Sequence, residues 1–285
     1  MSGDVAQRSS TTGAAHLTPA DAERPRVRAD SDVDISQFDG QRERAGAIVA
    51  RYPEPRSALL PLLHLVQYVE GHVSRAGVAF CADVLDLTPA EVSAVATFYT
   101  MYKREPVGEH LVSVCTNTLC AALGGDDIYA AVRERLGGIG HEQTSAAPGG
   151  AGSTGAPGTG SLTIEHAECL AACDLAPVLT VNYEFFDRQT VDSALEIIEK
   201  LQRGEKPHPT RGAPLTDFRR IELLLAGFFD EPETGGAAAN AGPSADEATL
   251  RGARLAEERG WTAPPMPDAG PDRAGEAAIL PGGPS

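Results

Sequence analysis

Residues 111–120 read Leu-Val-Ser-Val-Cys-Thr-Asn-Thr-Leu-Cys, and residues 162–173 read Leu-Thr-Ile-Glu-His-Ala-Glu-Cys-Leu-Ala-Ala-Cys. Each stretch opens as a short β-type run and delivers a cysteine pair as the run ends: C-x4-C at Cys115 and Cys120, C-x3-C at Cys169 and Cys173. Between them, Asp126 or Asp127 opens a helix with Ile128, Ala131, Val132 and Leu136 on one side, stopped by Gly137 and Gly138. A strand, a helix and a second strand predict parallel strands joined by a right-handed crossover. Parallel strands end on the same sheet edge, so both pairs emerge side by side although 48 residues separate Cys120 from Cys169.

After the second pair, Val178 to Val181 and a segment near Phe185 and Phe186 read as a hairpin. Thr190 caps a last helix whose Val191, Leu195, Ile198 and Leu201 face inward, ending at Gly204. Strand, helix, strand, strand, strand, helix is the element order of a thioredoxin-like sheet. The preceding chain is helical. Ala58, Leu62, Leu65, Val66, Val69 and Val73 place one apolar stripe on a helix beginning after Ser57, with Pro61 in its first turn. Thr88-Pro89-Ala90-Glu91 is a capping box with proline at the first helical position, and Val92, Val95, Ala96 and Tyr99 form the inner face behind it.

The predicted class is α/β. A helical bundle over 33–104 precedes a thioredoxin-like βαβ-ββα domain over 105–206, and a connector with an apolar helix covers 207–230. Residues 1–32 are Ser, Thr, Ala, Asp and Arg with little periodicity, and 144–160 are almost entirely Gly, Ala, Ser, Thr and Pro. Residues 231–285 hold 8 Pro and 9 Gly, with room for one short helix between Asp246 and Arg259. Ordering such segments costs about 1–2 kcal/mol per residue with little apolar area to offset it. They read as a disordered N-terminal segment, a flexible insertion and a disordered tail.

The chain of 285 residues carries 24 Lys+Arg against 40 Asp+Glu, a net charge of −16. Such acidity excludes nucleic acid, whose phosphates need Lys and Arg, and disfavours an anionic membrane surface. No run of about 18 apolar residues is present, so direct membrane insertion is not expected. The first thirty residues hold four acids and four arginines and no apolar stretch, unlike a signal or transit peptide. The expected compartment is the cytoplasm, where disulfides are rare.

There, four soft ligands suit Zn²⁺ or an iron–sulfur centre, and a thiol–disulfide switch is a third reading. Spacing alone does not separate zinc from iron, because C-x2–4-C pairs are ordinary in zinc sites. Thr116, Asn117 and Thr118 supply groups that hydrogen-bond sulfur, while Leu119, Leu170, Ala171 and Ala172 exclude water. Cys81, among Ala79, Phe80 and Val84, reads as a buried inert thiol. His166, three residues before Cys169, is superfluous beside four cysteines. Gly150 to Gly155 spells G-x-G-x-x-G inside a low-complexity run that opens no helix, so it is not a dinucleotide fingerprint, and hydride chemistry is placed on a partner. Phe218, Ile221, Leu224, Leu225, Phe228 and Phe229 form an apolar stripe expected to dock on the protein's own core, with a partner groove as the alternative. Glu165, Glu168, Asp174 and Glu184 read as solvated surface unless they cluster near the second pair.

Cys115-Thr116-Asn117-Thr118-Leu119-Cys120, then Glu168-Cys169-Leu170-Ala171-Ala172-Cys173 with Ala176-Pro177, resembles the thioredoxin-like [2Fe–2S] ferredoxin family. Tyr52-Pro53, Ser57 to Gln67, Thr88 to Glu91 and Ala96 to Met101 extend the likeness over about residues 40 to 205. It implies that Cys115, Cys120, Cys169 and Cys173 ligate one [2Fe–2S] cluster, with no catalytic residue on the chain. It further implies a one-electron carrier subunit of an NADH–quinone oxidoreductase of the respiratory chain. FMN and NADH then sit on a flavin-binding partner subunit, with a larger iron–sulfur subunit adjoining in the peripheral arm, at the inner face of the cell membrane. The family also occurs in soluble NAD-linked hydrogenases and formate dehydrogenases. Leu119 stands where the family commonly has proline and Ala171 where it has glycine, and the segment 144–160 lengthens the interval between the pairs.

Overall fold

The computed structural model of the chain describes residues 33–145, 158–237, 240, 242 and 247–262. The flexible stretches expected at 1–32, over most of 144–160 and at the end of the tail, and the Gly150–Gly155 run, lie outside the described residues. Contacts gather the chain up to Gly242 into one compact unit and leave Pro243–Ser285 as a second. The second holds the helix expected between Asp246 and Arg259, at Glu247–Glu258, followed by Arg259 stacked 5.1 Å from the Trp261 ring.

In the first unit, α1 (Arg42–Val49), α2 (Leu59–Glu70), α3 (Arg75–Leu85) and α4 (Pro89–Phe98) enclose a core of Phe38, Ile48, Leu62, Leu65, Val66 and Phe80. The start of α4 is the capping box its sequence spells. Thr88 Oγ1 accepts from the Glu91 N–H at 3.2 Å, and Glu91 Oε2 accepts from the Thr88 N–H at 2.9 Å. The Thr88 N–H, then the Arg56 guanidinium and the Thr88 hydroxyl, hold the Glu91 carboxyl at about 2. A carboxyl held below its unfolded value stabilises the fold above that value, and the contribution disappears as pH falls through the folded value. Glu91→Gln is therefore expected to lower the melting temperature at pH 7, with the difference from the parent shrinking from about pH 4.5 downward as both are melted across pH.

Two packing details depart from the periodicity. Tyr99 leaves α4 in extended geometry and is 44 % exposed, while Tyr102 turns inward and its hydroxyl donates to Leu60 O at 3.0 Å. And α2 is buried on two faces, His64 and Gln67 included, because α8 (Phe218–Leu225) lies across it. Glu222 of α8, fully buried, accepts from Gln67 Nε2 at 2.8 Å and Tyr183 Oη at 3.2 Å and lies 2.6 Å from His64 Nδ1. The apolar stripe of 218–229 thus docks on the protein's own core through Phe218, Ile221, Leu223 and Leu224, leaving Leu225 and Phe229 exposed. The packed body runs on past 230, where Glu231 and Glu233 pair with Arg44 and Thr234 is buried.

The sheet contains β1 (His110–Cys115), β2 (Gln143–Thr144), β3 (Leu162–Ala167), β4 (Leu179–Val181) and β5 (Glu184–Phe186), in the order β2-β3-β1-β4-β5. The expected parallel pair is β1 and β3, with Cys115 opposite Ala167, and the expected hairpin is β4 and β5. The two-residue β2, too short for any periodicity, adds an antiparallel edge to β3. Val112, Val114, Ile164 and Val181 face α6 (Gly125–Arg135) and α7 (Val191–Gln202). Alternation puts Leu111, Ser113 and Cys115 on the opposite face. The α/β class and the thioredoxin-like order follow from these pairings.

Candidate metal centre

Each cysteine pair is placed by the strand before it. The Cys115 N–H donates to Val178 O at 3.1 Å and the Thr116 N–H to Ala167 O at 3.1 Å, so the ladder runs to the sheet edge and both loops leave it together. Asn117 Nδ2, donating to Glu168 Oε2 at 3.0 Å, ties the loops beyond the edge. A one-turn helix, α5 (Thr118–Ala122), then swings Cys120 back beneath Cys115. Cys115 and Cys120 are each 2 % exposed and pack with Ala172, Leu175 and Val178, backed by Leu170 and Phe185. Cys169 and Cys173 lie at the surface with sulfurs 3.4 Å apart.

The four sulfurs thus form one neighbourhood. The Cys120 thiol is pushed up to about 11 by burial, lowered by the Val178 backbone N–H that it accepts, and raised again by hydrogen bonding to Cys115. Cys173 is raised by hydrogen bonding to Cys169, with Cys115 close enough to add to it. The Cys120 thiol so held keeps its proton at neutral pH until a metal displaces it. Among the described residues, no three His, Cys, Asp or Glu side chains are placed to hold a single ion. The sulfurs come as two pairs. A two-iron centre takes two thiolates per iron, one pair from each loop. The donor set therefore fits a [2Fe–2S] cluster.

The second loop turns at Ala171, whose φ of 58° is left-handed. That conformation costs a residue with a Cβ about 1–2 kcal/mol, which glycine avoids, while its freer unfolded chain offsets about 0.5–1 kcal/mol of that gain. Ala171→Gly is expected to stabilise the chain by about 0.5 kcal/mol, read from the midpoint of urea unfolding. Leu119 is the second residue of α5, where no helical N–H bond is lost to a proline.

Beside Cys169 the second loop borders a cleft of about 360 Å³ lined by Met101, Ser113, Glu165, Cys169, Leu170 and Tyr183 among others. Glu165, 9 % exposed, pairs with Lys103 Nζ and accepts from Ser113 Oγ at 2.6 Å. Lys103 Nζ also donates to Thr100 O at 2.8 Å and Glu142 Oε1 at 3.0 Å. Glu184 lies apart, accepting from the Ala213 N–H at 2.9 Å, and burial raises its carboxyl. His166 lies against His141 with ring centres 4.3 Å apart and the rings tilted by 36°, and Cys81 is fully buried in the helical core with its thiol pushed up by burial. Lys103 carried no signal in the sequence, since its partner Glu165 is 62 residues away. Ser113 carried one, as a polar residue inside the apolar run Leu111–Val114.

Residues 45–202 match the family model of the thioredoxin-like [2Fe–2S] ferredoxins. The chain belongs to this family. The E subunit of the NADH-quinone oxidoreductase of Mycobacterium tuberculosis is 50 % identical over 226 residues, 79 % of this chain and 82 % of that one. NADH dehydrogenase [ubiquinone] flavoprotein 2, mitochondrial, of Dictyostelium discoideum is 29 % identical over 212 residues, 72 % of this chain and 79 % of that one. An NAD+-reducing [NiFe]-hydrogenase in the air-oxidized state superposes with a TM-score of 0.40 at 19 % identity, over 51 % of this chain and 23 % of that one, too distant to bear on function. The chain is thus a homologue of oxidoreductase subunits, and membership of the family carries an iron–sulfur centre with it. No helix among the described residues is long and apolar enough to cross a membrane.

Proposed function

We propose that Cys115, Cys120, Cys169 and Cys173 hold one [2Fe–2S] cluster and that the chain is the one-electron carrier subunit of an NADH–quinone oxidoreductase. The observation that carries this reading is the pairing of four sulfurs from two loops at one sheet edge, buried on one side and exposed on the other. The bound cluster supplies one-electron transfer. The chain supplies the rest. The Val178 N–H, donating to the Cys120 sulfur, stabilises negative charge there, and Leu170, Ala172 and Leu175 keep water from the buried pair. An apolar surround and anionic ligands disfavour an added electron, which supports a low potential, in the region of roughly −400 mV.

Hydride chemistry belongs to a partner subunit binding FMN and NADH. This chain exchanges single electrons with that flavin at the exposed Cys169–Cys173 side, beside a larger iron–sulfur subunit of the same peripheral arm, on the cytoplasmic side of the cell membrane. The sequence identity with the mycobacterial protein supports the respiratory complex over a soluble hydrogenase or formate dehydrogenase. Purified protein is expected to contain two iron and two sulfide per chain and to give a rhombic EPR signal on reduction. One zinc per chain, with no visible absorption, would overturn the reading.

A further inference from the structure

Burial divides the four cysteines unequally, and the division has a chemical consequence when no metal is bound. Cys115 and Cys120 are 2 % exposed beneath Ala172, Leu175 and Val178. Cys169 and Cys173 are both exposed, with sulfurs 3.4 Å apart. A disulfide needs a separation of about 2.05 Å, so these two sulfurs must close by little more than an ångström. The left-handed turn at Ala171 already folds the three intervening residues so that both side chains converge. Cys81, the remaining thiol, is fully buried in the other core.

We infer that the metal-free chain is reversibly oxidised at one place, forming a Cys169–Cys173 disulfide that blocks cluster assembly until it is reduced. Thiol oxidation follows exposure and a neighbouring thiol that resolves the first product. A peroxide is the oxidant. One exposed thiol takes an oxygen atom from hydrogen peroxide to give a sulfenic acid and one water. The second thiol attacks that sulfur, forming the S–S bond and releasing a second water. Two thiols have lost two electrons and two protons, and the peroxide has gained them. The bond occupies both sulfurs of the outer pair, so they no longer serve as ligands, while the buried pair stays reduced. A dithiol reverses the step by exchange.

The inference rests on the proposed cluster only for its consequence, and the two fail separately. The full 285-residue chain is stripped of metal with a chelator under dithiothreitol, desalted, treated with one equivalent of hydrogen peroxide, and then unfolded in guanidinium chloride and alkylated before peptide mapping, so that the buried thiols react as well. The expected product is a peptide containing Cys169 and Cys173 that is unalkylated and lighter by two hydrogens, with Cys81, Cys115 and Cys120 all alkylated. Cluster uptake from ferrous iron and sulfide is expected to be lost in the oxidised chain and restored by dithiothreitol. Cys173→Ser is expected to abolish the bond, leaving Cys169 as a sulfenic acid trapped by dimedone. A Cys115–Cys120 bond, a bond between the loops, or undiminished cluster uptake by the oxidised chain overturns it. Failure of the cluster reading shows differently, as absence of iron and sulfide in the protein as purified, before the chelator is added.

Discussion

Cys115→Ala is expected to leave the chain folded and its cluster gone. Cys115 is the last residue of β1, and its backbone, not its sulfur, carries the ladder: the N–H donates to Val178 O at 3.1 Å. Alanine keeps that bond, and the strand remains paired to β3 along its full length. The sulfur sits 2 % exposed against Cys120, Ala172 and Leu175, where no water or exposed side chain replaces a missing ligand. Loss of a partner that merely orients a ligand costs roughly 10–100-fold in metal affinity, and loss of the ligand itself costs more. Iron and sulfide per chain are therefore expected to fall more than about tenfold, with the visible absorption and the EPR signal, while circular dichroism stays that of the metal-free parent. Cys81→Ala is the contrasting variant. Its thiol is fully buried in the helical core, so iron content is expected to match the parent and only stability to change. Equal iron in Cys115→Ala and the parent would remove the first pair from the site.

The thioredoxin-like half was readable because its signals are local and chemical. A cysteine at the end of each short strand, Asp126 before an amphipathic run, two glycines after it and Thr190 before Val191 each act within a few residues, and each falls where the structure has an end or a turn. The four thiols needed one further step, that parallel strands end together, and the pairing of Cys115 with Ala167 carries it. What escaped is non-local and polar. His64 and Gln67 look like breaks in an apolar helix until Glu222, 155 residues beyond Gln67, arrives to accept from Gln67 and face His64. Lys103 looks like a surface cation until β3 brings Glu165 to it. Periodicity reports which face of an element is apolar and is silent on a second element that covers the other face. The glycine usual at Ala171 marked a special backbone position, and the φ of 58° there gives its cause. The one-turn α5 and two-residue β2 are shorter than any repeat that would announce them.

Lys103→Met is expected to be among the most destabilising single substitutions in the chain, at about 3–5 kcal/mol. The Lys103 side chain is 3 % exposed, and its three ammonium protons have three acceptors: Thr100 O at 2.8 Å, Glu142 Oε1 at 3.0 Å and Glu165. Methionine fits the aliphatic path of lysine, so the loss is one of charge and donors rather than of volume. Glu142, 42 % exposed on its side chain, regains water and contributes little. Glu165 does not: its side chain is 12 % exposed, and Ser113 Oγ at 2.6 Å is then the donor left to it. A buried carboxylate stripped of its cation is the costly product, which gives a second variant its meaning. Lys103→Met with Glu165→Gln removes the charge together with its partner, keeps an acceptor for Ser113, and is expected to recover most of the loss. Urea midpoints of the parent, the two single variants and the double variant close the cycle, with a coupling of at least about 2 kcal/mol expected. The pair also joins the segment after α4 to the strand that leads through His166, Ala167 and Glu168 into Cys169. Lys103→Met is therefore expected to loosen the outer cysteine loop, raising the alkylation rate of Cys169 in the metal-free chain while Cys81, in the other core, keeps its protection. A loss under about 1 kcal/mol, or double and single variants that unfold alike, would mean that water already reaches Glu165 and that the pair holds nothing together.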